Sequence, residues 1–307
     1  MARSSYPLTS SPLFRLLGKG QLQQALGVSW TDGARLLQPR YYRTWTKTTN
    51  GKARDIQQPL YELENLHKRI ASLLSRIALP DYVYSRRTRS HVDNADRHRG
   101  AVPLVKTDIN KFYPSVTWPM VYRMFRDRFE CAEDISARLA DLCCYLQKHL
   151  PTGSALSGYV AFFATQPLFD QLAALSDKHG CKITLYVDDL TISGSKASRA
   201  LLAELRARIR YFGLRTRHSK SMAFRENQPK PVTGTVLIGE RMVLPNRQHL
   251  KLWQAKRALA SAAPADREAT AKMLMGRVIQ ANQIVARQFA TTHTASSDSV
   301  KQPLAQT

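Results

Sequence analysis

Residues 182–194 read KITLYVDDLTISG, and the pattern of this stretch decides the fold. Strand-forming residues on both sides of Asp188 and Asp189 predict two strands joined by a two-residue acidic turn. Adjacent carboxylates raise each other's pKa and cost stability unless a cation neutralises them. The pair therefore indicates either a solvated β-turn, which is the common case, or a buried hairpin tip that binds metal ions.

A third acid, Asp108, ends another predicted strand, residues 101–109 (AVPLVKTDI). Acidic residues are otherwise scarce: the chain has 23 Asp and Glu but 46 Lys and Arg, which gives a net charge of +23. This surplus causes self-repulsion unless a polyanion shares the surface; nucleic acid is the first candidate and an anionic membrane the second. Three carboxylates at strand ends can hold two Mg²⁺ ions about 3.5–4 Å apart, an arrangement used for in-line displacement at phosphorus.

Composition excludes several classes of protein. The chain has 307 residues, 43% of them hydrophobic, so it can bury a core and is not disordered as a whole. No apolar run reaches the roughly 18 residues of a membrane-spanning helix, and the Ser/Arg-rich N-terminal stretch lacks the apolar core of a secretory signal. Four cysteines without a CxxC pair predict reduced, buried thiols in a cytoplasmic protein rather than a zinc site.

The remaining patterns alternate between strands and helices and predict an α+β fold, with a mixed sheet backed by helices. Residues 41–56 alternate around Asn50-Gly51, which predicts a hairpin, and helical spacing of apolar residues begins after Pro59. Further helices are predicted at about 117–129, 133–149, 159–178, 195–213 and 245–290, and strands near 215–218, 221–225 and 232–244.

Two boxes of this sequence resemble the palm motifs of reverse transcriptases: YVDDL at 186–190, and KTDINKFYPS at 106–115. The resemblance covers roughly residues 40 to 244. It implies a right-hand polymerase fold with fingers, palm and thumb. The implied subdomains are N-terminal helices and fingers (1–103), a palm with a fingers insertion at about 117–150 (104–244), a basic helical thumb (245–290) and a disordered tail (291–307).

The resemblance also implies roles for individual residues. Asp108, Asp188 and Asp189 become the catalytic acids and the ligands of two Mg²⁺ ions, for which Mn²⁺ is a possible substitute. Tyr113 matches the bulky side chain that blocks a ribose 2′-hydroxyl and so favours deoxynucleotides; the alternative is a plain core aromatic. The residues implied to bind nucleotide are Arg54, Ile109, Tyr113, Gly153 and Lys220. For Arg54 and Lys220 the alternative is an ordinary solvated surface charge.

The second box, LPTGSALSG at 150–158, matches the family pattern LPQGxxxSP with two departures. Thr152 stands for the usual glutamine and Gly158 for the usual proline. Gly153 is retained, and its missing side chain is expected to let the backbone approach nucleotide and template.

Several further residues are predicted to bind nucleic acid. Arg86 and Arg89 resemble the basic residues of a fingers box. Nine basic residues and two acidic ones lie between Arg241 and Ala290, and four of the basic ones fall within about three helical turns. These predicted thumb contacts are Arg247, Lys251, Lys256 and Arg257.

Asn94 to His98 (NADRH) matches the NAxxH motif and Val232 to Gly234 the VTG motif, both typical of retron reverse transcriptases. Asn94 and His98 are predicted either to bind nucleic acid or to pin a loop by hydrogen bonds. The resemblance implies a bacterial cytoplasmic enzyme that uses dNTPs to copy part of its own structured non-coding RNA. It further implies priming from an RNA 2′-hydroxyl, a branched RNA–DNA product (multicopy single-stranded DNA), template removal by a host ribonuclease H, and anti-phage defence with a separate effector protein.

Two alternatives remain open at the sequence level. One is another short prokaryotic reverse transcriptase, either defence-associated, group II intron-like or from a diversity-generating element. The other is a non-catalytic RNA-binding protein with a polymerase fold. Retention of all three aspartates argues against the second, because a binding module would be more stable without buried acids.

Overall fold

The structure is a computed structural model that describes residues 5–49 and 51–297. Its described residues form two compact units, each built from three separated segments of the chain. Unit 1 takes its residues from Met1–Asp81, Ile109–Leu172 and Ala207–Thr216, and unit 2 from Tyr82–Asp108, Ala173–Arg206 and Arg217–Thr307. These units are a division by contacts, in which strands from distant segments pair with each other, and the predicted fingers, palm and thumb boundaries at residues 103 and 244 stay a prediction.

Both kinds of regular structure occur throughout the described ranges. The α-helices are α1 (Lys19–Leu26), α2 (Trp30–Arg35), α3 (Tyr61–Leu74), α4 (His91–Asp96), α5 (Phe112–Ser115), α6 (Trp118–Arg123), α7 (Glu133–Cys143), α8 (Ser157–Lys178), α9 (Arg199–Tyr211), α10 (Asn246–Ala260) and α11 (Arg267–Ser297). The strands are β1 (Tyr42–Thr49), β2 (Lys52–Pro59), β3 (Leu104–Asp108), β4 (Lys182–Tyr186), β5 (Asp189–Ser193), β6 (Met222–Phe224), β7 (Lys230–Val232), β8 (Thr235–Ile238) and β9 (Arg241–Val243).

Unit 1 contains the predicted hairpin and the helix that follows it. Strands β1 and β2 pair in antiparallel register from Tyr42↔Pro59 to Thr49↔Lys52, and Gly51 has a positive φ of 71°, which suits glycine in a tight turn. Asn50, the other residue of the predicted turn, lies outside the described residues. Helix α3 buries the apolar face that its spacing predicts, formed by Leu63, Leu66, Ile70, Leu73 and Leu74.

One predicted helix of unit 1 is shorter than expected. Apolar spacing predicts a helix from 133 to 149, but α7 ends at Cys143. Leu146 and Gln147 both have positive φ, and the backbone N–H of Tyr145 donates to the carbonyl of His149 at 2.7 Å. The carbonyl of Lys148 also accepts from the N–H of Trp118 at 2.9 Å, so tertiary hydrogen bonds replace the last helical turn.

Unit 2 is organised around a four-stranded antiparallel sheet in the order β4-β5-β3-β6. A smaller sheet, β7-β8-β9, helix α4 and helix α11 share a hydrophobic cluster with strand β3. The members of this cluster are Val92, Ala95, Leu104, Val232, Leu237, Met242 and Ile284. Ile284 is fully buried there, which fixes the middle of α11 to the rest of unit 2.

Three further expectations can be compared with the structure. The strand predicted near 215–218 is reduced to a single bridge between Ile109 and Thr216, followed by a 3₁₀ turn at His218–Lys220. Helix α11 continues to Ser297, whereas the predicted tail begins at residue 291, because no proline or glycine interrupts residues 277–297. Residues 298–307 of that tail lie outside the described residues. All four cysteines are buried and unpaired, as predicted.

Within the part of the chain that the structure describes, no helix combines the length and the apolar character that crossing a membrane requires.

Candidate active site

The acidic pair lies at the tip of the β4–β5 hairpin. Tyr186 pairs with Asp189, so the loop between the strands consists of Val187 and Asp188. The predicted acidic turn is therefore wrong by one residue: Asp188 is in the turn, whereas Asp189 is the first residue of β5. Val187 has a positive φ of 61°, a strained conformation for a β-branched residue, and such strain persists only where the surrounding structure enforces it.

The third acid comes from the neighbouring strand. Asp108, the last residue of β3, is directly opposite Asp189 in the antiparallel register, so the two side chains project from the same face of the sheet. One carboxylate oxygen from each of Asp108, Asp188 and Asp189 lies within 4.8 Å of the others. The structure thus brings together the three acids that the sequence predicts to act as a group.

The electrostatics of this group follow from its burial. Desolvation, together with the negative charges of Asp108 and Asp189, raises the pKa of Asp188 to about 6. Desolvation also raises the pKa of Asp189, with Lys220 and Lys106 acting in the opposite direction. Three crowded carboxylates of this kind need positive charge nearby to remain ionised.

Two side chains supply some of that charge. Lys220 Nζ donates to Asp108 Oδ2 and lies 3.8 Å from Asp189 Oδ1. Arg217 Nε lies 3.7 Å from Asp108 Oδ1, and the Arg217 backbone N–H donates to the Asp108 carbonyl at 2.8 Å. Lys220, predicted to bind nucleotide, therefore lies directly against Asp108 and Asp189 of the acidic cluster.

The donor set fits a divalent metal ion. Asp108 is only 2% exposed, and its buried Oδ1 accepts no hydrogen bond from any residue that the structure describes, so this oxygen retains capacity to bind a cation. Carboxylate oxygens are the ligands that hard divalent cations prefer. The three aspartates could therefore hold metal.

The predicted nucleotide-binding residues other than Lys220 lie in unit 1. Arg54 is exposed on β2, directly opposite Lys47 on β1. Tyr113 is half-buried in helix α5. Ile109 is only 1% exposed, so its side chain belongs to the core and only its backbone is available to a nucleotide.

Gly153 permits a close backbone approach to strand β2, and its predicted contact with nucleotide stays a prediction. Its N–H donates to the carbonyl of Gln57 at 3.0 Å, and a Cβ at this position would lie 2.9 Å from the same oxygen. The side chain of Gln57 also accepts from the N–H of Thr152 at 3.0 Å. Gly153 is thus required for packing the second box against β2, which the sequence alone does not indicate.

His67 is a site residue that the sequence analysis missed. Its ring is fully buried in helix α3 and hydrogen-bonds with Ser154 Oγ of the second box at 2.7 Å and with the Leu142 carbonyl at 2.8 Å. Burial lowers the pKa of His67 to about 4. The available signal was a histidine on the apolar face of a predicted helix, which is usually only a core residue.

This buried histidine makes the stability of the protein depend on pH. The unfolded chain protonates His67 near its ordinary pKa of about 6.5, whereas the folded protein does so only near 4. We therefore expect stability to be fully present above pH 6.5 and to fall by up to roughly 1.4 kcal/mol per pH unit between these values. Thermal unfolding of wild type and His67→Gln from pH 7.5 to 5 measures this contribution. Equal pH slopes in the two proteins would contradict it.

The two residues of the NAxxH motif are buried in unit 2. Asn94 is 0% and His98 1% exposed. Asn94 Nδ2 donates to Thr233 Oγ1 at 3.3 Å, and the His98 ring hydrogen-bonds with Ser193 Oγ at 2.7 Å and Thr184 Oγ1 at 2.8 Å. Burial and these hydrogen bonds favour the alternative in which Asn94 and His98 have a structural role, and their binding of nucleic acid stays a prediction.

The other predicted nucleic-acid contacts are accessible. Arg86 and Arg89 are partly exposed, and the Arg89 guanidinium lies 4.3 Å from the ring centre of Tyr84. Helix α10 has no acidic residue, and three of its four predicted contacts are exposed while Lys251 is half-buried. Arg257 also stacks on exposed Trp253, with 4.8 Å between the guanidinium carbon and the ring centre.

Comparison with known proteins assigns this arrangement to a family. Residues 39–243 match the model of the reverse transcriptase (RNA-dependent DNA polymerase) family, and this range contains all three aspartates. The chain belongs to the reverse transcriptase family. The predicted palm motifs therefore lie within a genuine family match that covers most of the chain.

Curated relatives of this reverse transcriptase are retron enzymes. It is 29% identical over 153 residues to the Retron Se72 reverse transcriptase of Salmonella heidelberg. This match covers 48% of this chain and 39% of that one. It is 28% identical over 222 residues to the Retron Ec86 reverse transcriptase of Escherichia coli, covering 70% and 68% of the two chains. It is 27% identical over 229 residues to the Retron Mx162 reverse transcriptase of Myxococcus xanthus, a match that covers 64% of this chain and 47% of that one. The matched stretch thus spans between two fifths and two thirds of these relatives, and the predicted resemblance to retron enzymes is confirmed.

The fold is also similar to that of a telomerase from Candida albicans, with a TM-score of 0.50 at 10% identity over 83% of this chain and 56% of that one. At this identity the likeness concerns the fold alone. Together with the family match, it confirms the predicted α+β class and right-hand polymerase fold.

Tyr113 provides a test of sugar selection in this reverse transcriptase. Tyr113→Ala is expected to raise ribonucleotide relative to deoxynucleotide incorporation by at least about tenfold, because removing the ring opens space for a 2′-hydroxyl. Gly158 is a neighbour of this ring, because a Cβ at residue 158 would lie 3.6 Å from the Tyr113 hydroxyl. The measurement is the ratio of dNTP to rNTP incorporation efficiency, with Tyr113→Phe as the control that keeps the ring. An unchanged ratio in folded Tyr113→Ala would show that another residue excludes ribonucleotides.

Proposed function

We propose that this reverse transcriptase is the RNA-directed DNA polymerase of a retron. The observation that carries the proposal is the convergence of Asp108, Asp188 and Asp189, whose carboxylate oxygens lie within 4.8 Å of one another inside the family match. The retron assignment is supported by the NAxxH and VTG motifs and by similarity to three retron enzymes.

In this proposal the three aspartates hold two divalent ions, Mg²⁺ with Mn²⁺ as a possible substitute. When bound, such ions lower the pKa of an attacking hydroxyl and neutralise the triphosphate and the leaving pyrophosphate. The protein's part is to fix the ligands: Asp108 and Asp189 are held by the β3–β5 ladder, and Asp188 by the strained turn at Val187. Lys220, which pairs with Asp108 and Asp189, would offset part of their negative charge and could also contact the triphosphate.

The residues that the resemblance implies to bind nucleotide are proposed to act on the incoming dNTP. Arg54 would donate a bidentate pair of hydrogen bonds to triphosphate oxygens. Tyr113 would exclude the 2′-hydroxyl, and the backbone at Ile109 and Gly153 would line the nucleotide. Because only the backbone of Ile109 is used, its side chain can stay buried in the core.

The proposed template and biology are those that the resemblance to retron enzymes implies. We propose a cognate structured non-coding RNA as template and primer, with synthesis beginning at an RNA 2′-hydroxyl and ending in branched multicopy single-stranded DNA. A host ribonuclease H would remove copied RNA, and a separate effector protein would act with the complex in anti-phage defence, in the bacterial cytoplasm. The exposed basic residues of α10 and the partly exposed Arg86 and Arg89 would contact the nucleic acid.

The experiment is to express the protein with the genomic region around its gene, purify it, and extract the bound nucleic acid. A retron enzyme yields DNA joined to RNA through a 2′–5′ branch that a debranching enzyme cleaves, and Asp108→Asn yields RNA only. DNA without a branch would indicate another short prokaryotic reverse transcriptase. Bound RNA with no extension of any primed RNA template in Mg²⁺ or Mn²⁺ would indicate the non-catalytic RNA-binding alternative.

A further inference from the structure

The residues from Ser90 to His98, called the α4 segment, contain helix α4 and the residue that follows its C-cap. A capping box fixes the start of this helix: Asp93 N donates to Ser90 Oγ at 3.1 Å, and Ser90 N donates to the Asp93 carboxylate at 2.8 Å. The segment is thus locally ordered by its own side chains. It also contains the NAxxH motif, which has no role in the proposed catalytic mechanism.

The α4 segment is anchored on two sides. The Thr233 hydroxyl donates to the His91 carbonyl at 2.7 Å, which ties the turn between β7 and β8 to the helix. From α11, Arg287 pairs with Asp93 at 3.1 Å and with Asp96 at 2.9 Å. The segment therefore has a fixed position relative to α11 and to the β7-β8-β9 sheet.

The third connection leads to the strands that carry the acids. The His98 ring bonds with Thr184 on β4 through Nε2 and with Ser193 on β5 through Nδ1. Thr184 is paired with Thr191, and Asp189, Thr191 and Ser193 alternate along β5, so these side chains share one face of the sheet with Asp108. One ring thus connects both strands of the hairpin on the face that bears the metal ligands.

We propose that His98 is a positioning residue, which holds strands β4 and β5 in the relation that places Asp188 and Asp189 for catalysis. The proposal rests on the proposed polymerase function. A neutral imidazole has one donor and one acceptor nitrogen, and each hydroxyl can both donate and accept, so both bonds can form at once. Burial, aided by the charges of Arg97 and Lys182, lowers the pKa of His98 to about 3, so the ring is neutral at physiological pH.

His98 makes directional hydrogen bonds at a buried position where apolar packing would be enough to stabilise the fold. Thr184 and Ser193 are 0% and 2% exposed, on a sheet face where an apolar side chain would be the ordinary choice. Two buried hydroxyls and a buried ring cost desolvation that the mutual hydrogen bonds offset. Hydrogen bonds require a defined distance and angle, which apolar contacts do not.

The test distinguishes a role of His98 in positioning the acids from a role in stabilising the fold. The triple variant His98→Phe, Thr184→Val, Ser193→Ala removes both bonds without leaving a buried polar atom unsatisfied. We expect it to fold, to bind RNA within about twofold of wild type, and to lose at least about tenfold in kcat with little change in KM for dNTP. Amide hydrogen exchange should accelerate in residues 182–193 and stay unchanged in α3. Wild-type kcat together with wild-type exchange would overturn the proposal.

Matched controls keep the result specific. Thr184→Val alone removes one bonding partner and is expected to lower kcat about threefold. Thr191→Val makes the same change at the register partner of Thr184, with which His98 makes neither of its two described hydrogen bonds, and should leave kcat unchanged. Equal effects of these two variants would overturn the proposal even if the triple variant failed to fold. If wild type itself extends no primer, the polymerase proposal fails, and hydrogen exchange still decides whether His98 orders the hairpin.

Discussion

Replacing Asp108 with asparagine is expected to lower kcat for DNA synthesis by at least about 100-fold while RNA binding persists. Its Oδ1 is buried and accepts no hydrogen bond within the described ranges, and the amide that replaces the carboxylate is a poorer ligand for a divalent cation. Metal ions contribute several kcal/mol of charge stabilisation in such reactions, and each 1.36 kcal/mol corresponds to a factor of about ten. Asp188→Asn is expected to have the same effect.

Primer extension under single-turnover conditions measures this loss, and binding of labelled RNA shows that the variant is folded. Asp127→Asn is the matched control, because Asp127 is an exposed carboxylate that pairs only with its neighbour Arg126 in the contacts described here. Its kcat should equal that of wild type. Extension by Asp108→Asn within tenfold of wild type would refute the assignment of the acids.

The second large effect concerns the basic helix α10. Changing Arg247, Lys251, Lys256 and Arg257 to glutamine should reduce the slope of log K against log[salt] for RNA by about 2 to 3 units, at roughly 0.9 or less per lost phosphate contact. At about 100° per residue, Arg257 lies about 200° around the helix from buried Ala255, with Arg247 and Lys256 on its two flanks. Half-buried Lys251 is expected to contribute least.

The affinity for the cognate RNA is measured from 50 to 300 mM salt. Lys272→Gln is the control, because Lys272 on α11 pairs with Glu268 at 2.6 Å and its charge is already balanced. Extension of a saturating, pre-annealed primer should change less than initiation on the cognate RNA, since the acids lie in the β3–β5 region. An unchanged salt slope with normal initiation would show that these charges only keep a packed helix hydrated.

The sequence predicts the acids well because their signal is local. The alternation of residues around Asp188 and Asp189 specifies a hairpin, and the apolar strand ending at Asp108 specifies its neighbour. The placement of Asp189 within β5 rather than in the turn depends on which residues pair, and register is a property of two strands. A shift of one residue is invisible in the pattern of either strand.

The supporting contacts could not be predicted because they join distant segments. The need for glycine at 153 comes from the carbonyl of Gln57, nearly a hundred residues earlier. The roles of His67 and His98 are hard to predict for the same reason. A histidine can be a metal ligand, a base or a core residue, and its role depends on the residues that contact it. For His98 those partners are Thr184 and Ser193, which themselves look like ordinary strand residues.

The strand order β4-β5-β3-β6 also has a consequence for how the polypeptide is made. β3 is an inner strand, yet its two partners, β5 and β6, begin at Asp189 and Met222. At roughly 5–20 residues per second, a ribosome adds the intervening chain over several seconds, during which both edges of an apolar strand lack their partners. Unpaired strand edges are templates for aggregation, and contacts of long sequence separation form slowly. We therefore expect the yield of folded protein in a cell to depend on chaperones that protect the nascent chain until β5 and β6 have been synthesised.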